Sequence, residues 1–499
     1  MITPTQQKIR DKTITAQQWA DMVKSGDWIS TGSVGGDATA CVDALSRRLG
    51  NAPGQIKEIE FWSYGMYYPQ TWLLEADREE KYHCIHEGFF FPWERKTRDI
   101  DGTIDWQHWG WAIGVWFSYY RFLSKEKAKR GWDWAVRAVS PPEGGYFNFS
   151  YGTNNGMIFS KLAKKVVLEV REDYPWAEPG ANNLIHIDEV DYIIKVDCDK
   201  YRWPQLPEAR PSEVETRIAD NILKIMDDGD CIQIGIGALP TAIARAISKA
   251  GLRHLGVHTE MMQEGVMALM AAGSVDNSLK PIDRGKSVWT FAFPFNRKRY
   301  YDFIHRNHSL AVYDINYVNN ICQLSRIDHL IAIDNFIAID LYGQLCAGHY
   351  AGRPISGTGG FFNFIAFSPL AKGGRGVAAA TSRSKAGTPR IVPQLPPGSV
   401  VDVPAQLVSW VATEYGLVNL AGLSGYERVR ALISIAHPDD RQNLEREAYK
   451  LNLLPKKFPV PMIGRERRYP DYAERKDFKI PYASSLWGYD WLDDLWSGK

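Results

Sequence analysis

The sequence predicts an α/β protein made of two similar open α/β domains, an expectation carried by three observations. The first is length: 499 residues exceed one ordinary core, so two domains of roughly 200 residues and a tail are the natural division. The second is an internal repeat. Met22-Val23-Lys24-Ser25-Gly26-Asp27-Trp28-Ile29-Ser30-Thr31-Gly32 can be laid over Ile225-Met226-Asp227-Asp228-Gly229-Asp230-Cys231-Ile232-Gln233-Ile234-Gly235, with Gly-Asp and the later glycine all shifted by 203 positions. The third is the order of signals in each copy: amphipathic helix, Gly-Asp turn, short alternating strand, Gly-rich loop, helix.

That succession is common in α/β proteins and could arise without duplication. What favours duplication is that the likeness continues: Val34-Gly35-Gly36 leads into a helix ending near Gly50, and Gly237-Ala238-Leu239 into one ending at Gly251. Between the halves, Trp203-Pro204-Gln205-Leu206-Pro207-Glu208-Ala209-Arg210-Pro211 suits a linker. The expected domains are therefore 1–211, 212–440 and a helical, aromatic tail 441–499. In the second half, Pro240 fits a first helical turn, where its missing N–H costs nothing, and Gly251 fits the stop. A strand is expected at Leu255–His258, a helix from Glu264 to Gly273 and a charged helix from Arg441 to Leu451. Glu260 then falls where a strand hands over to a helix, the edge at which open α/β sheets place ligands.

Composition narrows the function. A net charge of +1 provides no global field for nucleic acid or an anionic membrane, so anionic ligands must be held by local groups. No apolar run approaches the roughly 20 residues that span a bilayer, and the N-terminus lacks a signal-peptide core, so a cytoplasmic location is expected. Six scattered cysteines, with no C-x-x-C pair and no H-E-x-x-H, argue against a disulfide framework and a dedicated zinc site. The unusual figure is 18 tryptophans.

Three segments carry chemistry. Gln233-Ile234-Gly235-Ile236-Gly237-Ala238-Leu239-Pro240 allows close backbone approach to a ligand and offers helix N–H groups to an anion, though a tight turn would read the same way. His258-Thr259-Glu260-Met261 puts a carboxylate at a helix start, where it could merely complement the helix dipole. Ser356-Gly357-Thr358-Gly359-Gly360 and Lys372-Gly373-Gly374-Arg375-Gly376 could form an oxyanion hole and reach phosphates, or could be flexible loops.

Together these segments resemble the acetyl-CoA hydrolase/transferase family, which includes 4-hydroxybutyrate and butyrate:acetate CoA-transferases. The likeness continues through Gly285-Lys286-Ser287-Val288, Tyr301-Asp302-Phe303-Ile304, Asp340-Leu341-Tyr342-Gly343-Gln344, Thr413-Glu414-Tyr415-Gly416 and Ile435-Ala436-His437-Pro438-Asp439. It is looser at Gly32 to Ala44, Gly144-Gly145-Tyr146-Phe147 and Ile185 to Asp191. The resemblance implies that Glu260 is the nucleophile. It also implies CoA contacts at Gly235, Ile236, Gly237, Ala238, Leu239, Asn335, Gly359, Gly360 and Lys372, with Gly359 and Gly360 contributing the oxyanion hole. Glu414 is a rival carboxylate whose segment is not the nucleophile in such enzymes.

In this reading CoA passes between an acyl-CoA and a free carboxylic acid by a ping-pong route through a glutamyl-CoA thioester, with no metal and no cofactor beyond CoA as co-substrate. With a reference pKa near 4.3, Glu260 is expected to be ionised at pH 7 without a base. An acyl-CoA hydrolase using the same glutamate and a non-catalytic CoA-binding protein remain alternatives, and a homo-oligomer is expected. The chain departs from the family at Phe291-Ala292-Phe293-Pro294-Phe295-Asn296 and in the aromatic stretch from Phe89 to Tyr120. These aromatics suit either a large apolar acyl pocket or plain core and subunit interface.

Overall fold

Each half starts from a capped helix and a left-handed glycine turn. Thr15 caps helix Ala16–Met22 by accepting from the Gln18 N–H, and the Gln18 side chain accepts from the Thr15 N–H in return. Ser212 and Glu215 make the same box at helix Glu213–Leu223. Such boxes satisfy amides that the first turn leaves unpaired. Gly26 (φ +78°) and Gly229 (φ +86°) then turn the chain into strands Trp28–Ser33 and Cys231–Ile234. Helices Ala40–Asn51 and Ala238–Ala250 follow, the second stopped by Gly251 in the left-handed region. The computed structural model describes residues 3–64, 71–79, 81–87, 89, 105–106, 131–203, 210–293 and 298–455.

The equivalence extends to the sheets. The first has seven strands, running in spatial order 192–195, 163–170, 132–139, 28–33, 59–64, 83–87 and 105–106, all parallel. The second has six: 256–257, 231–234, 330–335, 375–379 and 410–413 are parallel, and 416–419 closes the edge antiparallel. In both, the strand after the Gly-Asp turn lies between the next strand of its half and a later one. The repeat seen in the sequence is thus a shared strand order, as right-handed parallel crossovers allow.

The halves are not independent. Strand Pro179–Ala181 pairs with Leu310–Tyr313, which also pairs with Ser287–Trp289. One apolar cluster combines Ala138, Tyr151, Tyr174 and Trp203 with Ile232, Ile243 and Trp289. Helix Pro438–Lys450 runs through the expected boundary at 440, and its Leu444 and Ala448 are buried in the core of the second half. The start of the expected tail therefore belongs to that core, because its apolar positions meet the face of helix Gly425–Ser434. The Pro-rich residues 204–209, the aromatics from Phe90 to Tyr120 other than 105–106, positions 294–297 and the tail beyond 455 lie outside the described residues. Among the described residues no helix is long and apolar enough to cross a membrane.

Candidate active site

At the C-terminal edge of the second sheet a cavity of about 480 Å³ opens, and Glu260 lies on its wall. The segment around Glu260 is held by backbone pairing on both sides. The His258 N–H donates to Ile232 O, and the Thr290 and Phe291 N–H groups donate to Glu260 O at 3.1 and 3.3 Å. Gln263 ties the same segment to the glycine loop, its amide donating to Ile234 O at 3.2 Å and Gly235 O at 2.7 Å. These bonds fix where Cα of residue 260 sits, and Asn319 fixes where its carboxyl points, by donating to Oε2.

Asn319 is itself positioned from behind. Fully buried His258 bonds the Val318 carbonyl through Nε2 at 2.8 Å, so the histidine of His-Thr-Glu-Met serves to seat its neighbour's partner. Burial pushes its imidazole down to about 3, which keeps it neutral and unsuited to proton transfer at pH 7.

Gly359 and Gly360 close over the carboxyl. A Cβ on Gly360 would stand 1.8 Å from Glu260 Oε2, and one on Gly359 3.9 Å from Oε1. Gly359 also needs its φ of +53°, a backbone region that side chains disfavour. Neither N–H has an acceptor among the described residues. The loop is pinned by Asp402, which accepts from Thr358 Oγ1 at 2.5 Å and from the Ala347 and Gly348 N–H groups at 2.6 and 2.9 Å.

The charge state differs from the expectation of a freely ionised glutamate. Burial raises the Glu260 carboxyl to about 8, the Asp334 charge adds to the rise, and the Asn319 amide offsets part of it. The residue keeps some surface open to the cavity, so water there moderates the shift without reversing it. Asp334, also on the cavity wall, is pushed up to about 7 by burial, with the Gln233 amide working against the rise. One of its oxygens bonds Gln233 at 3.2 Å, and the other is buried without a partner.

Of the positions expected to hold CoA, Gly235, Ile236, Asn335, Gly359 and Gly360 line this cavity. Gly237 (φ +113°) caps the helix that Ala238 begins, beside the opening. The Leu239 side chain is in the core, leaving only its backbone to face a ligand. Lys372 is not brought to the cavity. It precedes strand Arg375–Ala379, whose far end pairs with Asn335, so it lies at the opposite sheet edge, a strand's length of roughly 15 Å away. Arg375 is buried there against Asp230. Glu414 accepts from the Ser382 N–H and hydroxyl and does not line the cavity. Sequence reasoning missed Asn319, Asp334 and Asp402; of these only Asp334 had a signal, its place beside Asn335 at a strand end.

The chain belongs to the acetyl-CoA hydrolase/transferase family. The family's N-terminal domain description matches residues 3–200 and its C-terminal domain description residues 297–448. The protein is an enzyme, an acyl-CoA:carboxylate CoA-transferase. Similar proteins include the succinyl-CoA:cyclohexane-1-carboxylate CoA transferase of Geobacter metallireducens, 34% identical over 90% of this chain and 98% of that one. The butyryl-CoA:acetate CoA-transferase of Anaerostipes caccae is 30% identical over the same shares, 90% and 98%. The crystal structure of RipA from Yersinia pestis superposes with a TM-score of 0.80 at 27% identity, covering 91% of this chain and 100% of that one.

Proposed function

We propose that the enzyme works by a ping-pong mechanism in which Glu260 becomes covalently attached first to the acyl group and then to CoA. The observation that carries this reading is the Glu260 carboxyl on the cavity wall, fixed by Asn319 and roofed by Gly360. One carboxylate oxygen attacks the thioester carbonyl, the C–S bond breaks, and an acyl-glutamyl anhydride and CoA thiolate result. The thiolate attacks the glutamyl carbonyl, releasing the donor acid and leaving glutamyl-CoA. The acceptor carboxylate then attacks that thioester, and the thiolate displaces Glu260 from the new anhydride, so proton and charge counts close over the cycle.

In this reading the backbone N–H groups of Gly359 and Gly360, on the loop that packs against the Glu260 carboxyl, donate to the oxyanions as they develop, and one such donor is typically worth about 3 kcal/mol. Carboxylate and thiolate supply both nucleophiles, so the chemistry calls for no metal and no cofactor beyond CoA. Binding energy from the distant parts of CoA is used to reach the anhydride, so truncated thioesters should lose turnover as well as affinity. An acyl-CoA hydrolase would use the same residues with water admitted to either intermediate; net thiol release without an acceptor acid would identify it.

The test is mass spectrometry of protein quenched with acyl-CoA. We expect CoA attached at Glu260 in the wild type and none in Glu260→Gln, whose turnover falls at least a thousandfold while CoA still binds. An unmodified Glu260 under turnover, or a tenth of wild-type rate in the variant, would refute the proposal.

A further inference from the structure

The cavity has two unlike walls. One carries carboxyl and amide side chains and comes from adjacent strand ends of the second sheet: Gln233 on one strand with Gly235 just past its end, Asp334 and Asn335 on the next. The other is apolar and is assembled from both halves: Val34 and Phe89 from the first, Met261, Phe291 and Phe293 from the second. Glu260 stands between them, since Met261 follows it directly and the Phe291 N–H bonds its carbonyl. The apolar wall is preformed. Phe291 and Phe293 are 5% and 4% exposed and meet edge to face at 6.3 Å. Behind them Trp28, Trp62, Trp132 and Phe159 continue the same cluster.

We infer that this wall is the acyl subsite, and that the acid it selects is a monocarboxylic acid bearing one six-membered ring, saturated or aromatic, on the carboxyl carbon. This rests on Glu260 being the nucleophile. The amides of a pantetheine arm match the polar wall, which leaves the apolar wall to the acyl group. The space is adequate: a cavity of roughly 150 Å³ lined by aliphatic and aromatic side chains holds benzene, and about 480 Å³ stays open here with both phenylalanines in place. No Lys, Arg or His is among the described residues lining it, so a second carboxylate would meet Asp334 without a counter-charge. An acetyl group would leave the aromatic wall uncovered and forgo the favourable burial of apolar surface there.

The experiment measures CoA transfer from propionyl-CoA to cyclohexanecarboxylate, benzoate, acetate and succinate, together with the Glu260 adduct. We expect kcat/KM for one or both ring acids to exceed that for acetate and for succinate at least tenfold. In Val34→Phe, which thickens the apolar wall by a ring, the ring-to-acetate ratio should fall tenfold or more, and Phe293→Ala should change the same ratio. A fold defect would instead lower all acids alike. Adduct formation with acetate or succinate preferred overturns the ring-acid assignment and leaves the covalent mechanism standing; absence of any adduct overturns both.

Discussion

Glu260, the proposed nucleophile, has surroundings that raise its pKa, and the consequence for rate has a definite sign. Only the ionised carboxylate attacks, so a pKa lifted to about 8 by burial and by Asp334 leaves a minor fraction active at pH 7. In return, a more basic carboxylate is the stronger nucleophile once ionised. The kcat/KM of the donor half-reaction should therefore climb with pH through neutrality and level off above pH 8. Asp334→Asn removes a like charge, so its rise should come at lower pH. A profile flat from pH 5 to 9, or unchanged in the variant, would contradict this account. The glutamate was legible because His258-Thr259-Glu260-Met261 sits at a strand-to-helix handover; its charge state was not, because a reference pKa describes a solvated group and the environment is set by residues 59 and 74 positions away, Asn319 and Asp334. Lys372 shows the converse: a basic residue amid glycines looks like a phosphate contact, yet strand direction puts it at the sheet edge away from the Glu260 cavity.

At the scale of the element, the loop 356–360 derives its shape from partners outside itself. Asp402 holds its middle through Thr358, and the Ile355 and Ser356 N–H groups both bond Gly348 O, at 2.8 and 2.9 Å. The roof over Glu260 is thus braced before substrate arrives, as oxyanion stabilisation requires. Gly360 tests this. Its φ of −87° suits any residue, so alanine should cause little backbone strain; the added carbon collides instead with the Glu260 carboxyl and, at 2.6 Å, with Asn319 Nδ2. Gly360→Ala should keep its melting temperature within a few degrees while kcat falls a hundredfold or more and the CoA adduct disappears. Near-normal turnover would mean that the carboxyl does not need the position described. Glycine repetition made the loop visible in the sequence, but its brace depends on a contact between residues 358 and 402, which no local pattern records.

Across the whole molecule, the cavity draws its lining from both halves, and the seam between them is tight. A Cβ on Gly35 would come within 2.6 Å of Ala292 O, and the Ala292 N–H bonds Tyr151 O. The repeat was legible because each copy keeps its own turn and caps; the shared core was not, because periodicity shows that a face is apolar without showing which face covers it. Closing this seam puts two carboxyls, Glu260 and Asp334, where water is scarce, and that has a cost in stability. Both have folded-state pKa values raised above the unfolded ones, so between about pH 4.5 and pH 8 these two carboxyls hold more protons in the folded protein than in the unfolded chain. Their contribution to the stability of the ligand-free enzyme should then decline as pH rises through that window. Glu260→Gln removes one of the two contributions, since an amide has no proton to lose. Its melting temperature should exceed that of the wild type at pH 8, and the two should converge toward pH 5, where the glutamate is neutral in the folded state. Scanning calorimetry of both proteins at the two pH values measures this directly. A variant no more stable than wild type at pH 8 would mean that the carboxylate is better solvated at the seam than its burial implies, and that its reactivity does not come from being held away from water.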